Sequence, residues 1–226
     1  MKTRILLMSM LVGGSLFGSG VANAQLNLKQ FGLGGGNSSA GAAPASEGSM
    51  SQLLQTYVGA NQQVLSGQSS LASAMGMSSA AGQAQQAAGL LSGGTPSVSQ
   101  LTQVGSTQQS LSQKLTDAFA SHGSGGASAA PVNKQAFTDG LSSLGKGVSQ
   151  YSSLQSGLGS IGQMSPSSLL QSGLNPQTAQ SASYIAQSAP GQLQSLMSTL
   201  SSAVQFASSN GITVPSIATA ALKGIQ

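Results

Sequence analysis

The chain has 226 residues, of which three are acidic, seven basic and one is histidine, and it contains no cysteine. Acid–base catalysis, metal binding and disulfide support each need several such side chains converging at one place, so all three have almost nothing to draw on. With Lys2 and Arg4 held in the first few residues, the remaining charge is five scattered lysines against Glu47, Asp117 and Asp139. That is no footing for nucleic acid, which asks for clustered Lys and Arg with aromatics between them.

Residues 1–24 begin with the basic stub of Lys2 and Arg4, continue through an apolar run from Ile5 to Val12 and end in Ala22-Asn23-Ala24 before Gln25. This is the order of a secretion signal, and cleavage is expected after Ala24. Glycines and serines from Gly13 to Gly20 interrupt the run well short of the roughly 20 apolar residues of a spanning helix, so no integral span is expected after cleavage. The layout is that of bacterial-style export, to the periplasm or outside the cell. Lipid anchoring is excluded for want of a cysteine. Residues 25–48, with Gly34-Gly35-Gly36 and a Ser/Ala/Pro segment, have the composition of a disordered leader.

Beyond the leader, apolar residues recur at helical spacing and no strand alternation is found. In the N-terminal helical segment, 49–122, Leu53, Leu54, Tyr57, Val58, Val64, Leu65, Leu71 and Met75 fall on one arc at 100° per residue, with a bend expected near Gly67. Ala84, Ala87, Ala88 and Leu91 form a weaker face, ended by Gly93-Gly94. Thr95 is expected to cap a helix with Pro96 at its first position. Leu101, Val104, Leu111, Leu115, Ala118 and Phe119 line that helix, and His122-Gly123 ends it.

Residues 123–132 read as a linker, and 133–226 as a C-terminal helical segment. After Asn133, a capping residue, Phe137, Leu141, Leu144, Val148, Tyr151, Leu154, Leu158 and Ile161 recur at steps of three and four. This seam has coiled-coil spacing without the charged flanks that fix partner and register. Ser165-Pro166 and Asn175-Pro176 predict a short helix around Leu169 to Leu174 and another from Gln177 to Gln187. Leu193, Leu196, Met197, Leu200, Val204 and Ala207 form a further stripe, stopped by left-handed conformations at Asn210-Gly211. Pro215 starts a last short helix through Ile217, Leu222 and Ile225. The expected fold is all-α, a loose bundle of about six or seven amphipathic helices.

Three motifs fail on chemistry. Gly140 to Lys146 has the spacing of a phosphate-binding loop, but Gly147 stands where that loop needs a hydroxyl, and no strand precedes it. His122 and Asp117 have no Gly-x-Ser-x-Gly nucleophile to serve; a helix-end histidine facing the C-terminal dipole is the plainer reading. Asn37-Ser38-Ser39 fits a glycosylation acceptor that bacterial-style export gives no use for. Gly145, Ser149, Ser153 and Gly157 make a ridge of small residues on which another helix could approach closely.

In composition the chain resembles exported filament subunits, whose surfaces are dominated by Ser, Ala, Gln, Asn and Thr. The functional expectation is an exported, non-enzymatic helical protein that acts by association with itself or with a cell-envelope or extracellular partner. It has no cofactor, no metal and no nucleic acid. The candidate association face is Phe137, Leu141, Leu144, Val148, Tyr151, Leu158 and Ile161. The alternative is a periplasmic carrier or chaperone-like module for an apolar ligand or client, suggested by the adaptable Met50, Met75, Met77, Met164 and Met197.

Overall fold

The structure is a computed structural model and describes residues 47–123, 132–161 and 175–224. The expected signal peptide, the leader up to residue 46, residues 124–131 of the linker, the short helix at Leu169 to Leu174 and Ile225 lie outside these. Among the described residues there are six helices and no strand. They are α1 (Glu47–Ala74), α2 (Ser78–Gly89), α3 (Val98–Gly123), α4 (Lys134–Ile161), α5 (Pro176–Ser209) and α6 (Ser216–Lys223). All belong to one compact unit spanning residues 41–226, so the N- and C-terminal helical segments share a core.

The helix α1 runs unbroken through Gly67, where a bend was expected. Gly67 serves contact instead. A Cβ there would stand 2.6 Å from the backbone nitrogen of Leu144 and 2.9 Å from the carbonyl oxygen of Gly140. From the other side, a Cβ on Gly140 would meet Leu71, and one on Gly147 would stand 2.6 Å from Val64 Cγ2 and 3.1 Å from the carbonyl oxygen of Ala60. The backbones of α1 and α4 therefore touch along two turns, a distance that only glycine permits. The small ridge expected at Gly145, Ser149 and Ser153 does not make this contact: Ser149 is half-buried, Ser153 is exposed, and Gly145 seats α6, its would-be Cβ lying 2.8 Å from Ala218 Cα. So close a seat admits only alanines, which is why Ala218 and Ala221 are the buried residues of α6 while Ile217 and Leu222 are half-buried.

Helix boundaries follow from local capping. At the end of α1, Met77 N–H donates to Ala72 O at 2.8 Å across Gly76, whose φ of +74° is easily adopted only without a side chain. The helix α3 starts two residues later than Thr95-Pro96 would place it, because Ser97 and Gln100 cap each other. Ser97 N–H donates to Gln100 Oε1 at 2.8 Å, and Gln100 N–H donates to Ser97 Oγ at 3.3 Å. Asn133 caps α4 through Ala136 N–H, and its own N–H donates to Ala74 O, tying the start of α4 to the end of α1. Asn175 caps α5 through Gln177 N–H at 2.9 Å.

Two separate helices expected on either side of Pro190 are one helix of 34 residues. Proline removes the donor for the carbonyl four residues earlier, at Ala186, and costs about 3 kcal/mol inside a helix. Ile185 and Ala189 before it and Leu193 and Leu196 after it are all buried on one face, and that continuous burial carries the helix through. At its end, Ile212 N–H donates to Ala207 O, and Gly211 alone takes the left-handed turn at φ +61°; Asn210 sits at φ −106°.

Residue pairs fix the helix directions. Leu101 meets Tyr184, and Phe119 meets Phe206, so α3 and α5 run parallel. By contrast, Tyr57 meets Tyr151 while Ala74 meets Asn133, so α4 runs antiparallel to α1. Phe137 and Phe206 stack at 5.3 Å with Phe119 against both. This aromatic triad closes one end of the bundle.

Candidate functional site

Of the candidate association face, Phe137, Leu141, Leu144, Val148, Tyr151 and Leu158 are all buried within the chain, and the side chain of Ile161 is outside those described. The seam is turned inward and meets α1 and α5 of its own chain, because the paired glycines let α1 dock directly upon it. Met50 and Met75 are likewise core residues. The phosphate-loop lookalike at Gly140 to Gly147 is continuous helix inside α4. His122 stands in the last turn of α3 with its ring edge-on to Phe206, centroids 5.9 Å apart. Among the described residues no three His, Asp or Glu side chains gather as a metal would need, and no helix is long and apolar enough to cross a membrane.

Sequence reading missed a polar cluster at the centre of the bundle. The helices α1, α3, α4 and α5 each contribute to it: Tyr57, Asn61 and Gln68; Gln108 and Ser112; Tyr151; and Gln192. Tyr57 donates its hydroxyl to Gln192 Oε1 at 2.8 Å. The Tyr151 hydroxyl lies 2.8 Å from Asn61 Oδ1 and 2.9 Å from Gln192 Oε1, two acceptors competing for one proton. Gln108 donates Nε2 to Asn61 Oδ1 at 2.7 Å, and Asn61 returns Nδ2 to the carbonyl of Tyr57, also at 2.7 Å. Further along, Gln68 Nε2 donates to Ser112 Oγ and to the Gln108 carbonyl. Burial pushes the Tyr151 hydroxyl well above the ordinary phenol range, with the neighbouring Tyr57 adding to the effect. Burial also raises Tyr57, opposed by its hydrogen bonds to Tyr151 and Gln192. Both phenols therefore stay neutral and able to donate at any physiological pH.

A signal for this cluster exists in the sequence. Asn61, Gln68 and Gln108 fall four residues after Tyr57, Val64 and Val104, so each is a polar residue in register with an apolar arc. Such residues are buried, and buried amides must find partners.

The cluster opens toward the surface at a groove between α3 and α5. Its first part, about 480 Å³, is lined by Gly105, Gln108, Tyr184, Gly191, Gln192 and neighbouring hydroxyl residues. The second part, about 610 Å³, shares Ser112, Gly191 and Ser195 with the first, and the third, about 270 Å³, continues from Thr116 to Asn210. Along α3 the groove follows Thr102 to Ala120, about 27 Å at the helical rise. Glycines shape both walls. A Cβ on Gly105 would strike Gln192 Nε2 at 2.6 Å and approach the Tyr184 hydroxyl at 3.2 Å, whereas one on Gly191 would meet nothing within 4 Å. Gly105 thus lets Gln192 and Tyr184 lie against α3, and Gly191 leaves the groove open. Of all the lining residues, Asp117 alone carries a charge. What such a surface can do is donate and accept neutral hydrogen bonds.

No family model, no curated protein and no solved structure matches the chain.

Proposed function

We propose that this chain is an exported, non-enzymatic helical protein that works by association with a cell-envelope or extracellular partner, and that the α3/α5 groove is the surface through which it does so. The observation that carries this reading is the groove itself, a long depression in which Asp117 is the one charged residue, backed by a cluster of amides and phenols of which all but the half-buried Gln192 are buried. The apolar stripes are consumed inside the chain, so association through them would require the bundle to open. The α3/α5 groove, already open at the surface, requires no such change. Export rests on the order of basic stub, apolar run and Ala-Asn-Ala at the N-terminus.

Retention of the mature chain, from Gln25 onward, on envelope and extracellular-matrix fractions tests the proposal, alongside Gly191→Trp and Gln187→Trp, which fill the groove from its open and exposed rim. Groove-dependent retention by a chain that stays monomeric in light scattering is the expected result. Retention unaffected by either variant, or a concentration-dependent oligomer insensitive to both, refutes the assignment to this surface. Replacing His122 and Asp139 together should leave retention and any cellular phenotype unchanged.

A further inference from the structure

The shortest of the described helices, α6, is lightly attached to the bundle. It has eight residues, of which Ala218 and Ala221 are buried. Each offers the core a single methyl group. Ile217 and Leu222 are half-buried, whereas α1 buries Tyr57, Leu65 and Leu71 completely. The seat under α6 is backbone against backbone: a Cβ on Gly145 would lie 2.8 Å from Ala218 Cα, 3.0 Å from Ala218 N and 3.2 Å from the carbonyl carbon of Ile217. Contact of this kind depends on close approach and is lost once the helix lifts by the width of a methyl group. Off its seat, a segment of eight residues is too short to stay helical in water. Lifting and melting of α6 are therefore one event.

The segment that leads into α6 lets go as easily. The Thr138 hydroxyl lies 3.1 Å from the carbonyl oxygen of Thr213 and 3.0 Å from that of Lys134 in its own helix. One proton serves both acceptors, so the hydroxyl keeps a partner when Thr213 leaves. Pro215 has no N–H to strand. Ile212 differs: its side chain is buried and its N–H donates to Ala207 O at 2.9 Å, holding it to the end of α5. The firmly held part of the chain thus ends at Ile212, and the hinge begins at Thr213.

We propose that residues 213–224 form a clasp that opens as a unit about Thr213 while α1 to α5 stay folded. In the open form the Gly145 seat on α4 and the apolar side of α6 both face solvent. No residue of α6 lines the α3/α5 groove, so the clasp stands independently of the role assigned to that surface.

Amide hydrogen exchange of the folded mature chain, followed by NMR over a range of urea concentrations, tests this. The amides of Ala220 to Lys223 should be protected, but about a hundredfold or more less than those at the centres of α1 and α4. Their opening should depend only weakly on urea, because little surface is exposed. Ile212 should exchange with the α5 amides. Gly145→Ala should lower α6 protection by about tenfold or more while the urea midpoint of the rest of the bundle is kept or raised, since the new methyl is relieved by α6 leaving and α4 gains a better helix former. Ala218→Leu should act alike from the other side of the contact. Protection of α6 equal to that of α1, or a shared urea dependence, overturns the proposal. So do α6 amides that exchange as in an unfolded peptide, because the clasp would then never close. Ile212 exchanging with α6 refutes the hinge at Thr213. A fall in global midpoint with both variants, as large as that of Gly67→Ala at the α1/α4 contact, would make α6 part of the cooperative core and overturn the proposal as well.

Discussion

Alanine placed at different helical glycines should change stability in opposite directions, although every one of these positions is helical and secondary-structure propensity treats them alike. A glycine inside a helix is worth about 1 kcal/mol less than alanine. At Gly59 in α1 and Gly82 in α2 a Cβ would meet nothing within 4 Å. Each should therefore gain about 0.5–1 kcal/mol as alanine, a rise in Tm of roughly 1–4 °C for a domain of this size. Gly67 receives the same helical gain, but its Cβ would lie 2.6–2.9 Å from three backbone atoms of α4, none of which can rotate away. The helices must part, and overpacking of this kind costs about 1–3 kcal/mol. Because α1 and α4 hold Tyr57 against Tyr151 and Ala74 against Asn133, separation also loosens the polar cluster and the α4 cap. The net for Gly67→Ala should be a loss of about 1–2 kcal/mol. Gly147→Ala should behave likewise but more mildly, since part of its clash is with the Val64 side chain. Urea unfolding of the four variants, read as midpoints at constant m-value, decides the matter. If Gly67→Ala proves as stable as Gly59→Ala, the close approach of α1 and α4 is not what the glycines are for.

Other perturbations probe the core and the cluster. Tyr151→Phe removes one hydroxyl from Asn61 and Gln192 and should cost about 1–2 kcal/mol in urea unfolding; an unchanged midpoint would mean that the cluster re-forms without it. Both buried tyrosines have folded-state pKa values raised above the unfolded value, so their contribution to stability is fully present below the unfolded phenol pKa and is lost as pH rises toward and through the folded values. The melting temperature should accordingly be insensitive to these groups near neutrality and fall above about pH 10, less steeply in a Tyr57→Phe/Tyr151→Phe double variant that still folds. Phe206→Ala empties the centre of the aromatic triad and should cost about 3–5 kcal/mol, seen as a large drop in Tm and loss of near-ultraviolet dichroism. Pro190→Ala restores the N–H that Ala186 O lacks and should gain about 1–3 kcal/mol; destabilisation instead would show that the core is packed around the proline.

The all-helical architecture was legible in the residue order because an apolar stripe at 3.6-residue spacing has one way to be buried. Leu101, Val104, Leu111 and Leu115 lie where the wheel puts them, and Asn133 and Asn175 begin their helices by supplying the side-chain acceptor that free N–H groups need. Caps were legible only where one residue acts alone: the start of α3 depends on Ser97 and Gln100 together, and so escaped. Pro190 misled because a local rule about backbone donors was outweighed by burial on both sides of it. The groove and its floor were the least visible, since a polar residue in register with an apolar arc announces its burial but not which residue on another helix it will meet.

From the sequence alone came which segments coil, which faces are oily and how little ionisable chemistry the chain possesses, all of them properties of neighbours within a few turns. The tertiary structure decided that the seam of α4 is an inner surface, that Gly67, Gly140 and Gly147 bring two backbones into contact, and that amides and phenols from four helices meet beneath the α3/α5 groove. Each of these depends on atoms distant in sequence arriving within a few ångströms, and helical periodicity carries no information about which stripe will be packed against which.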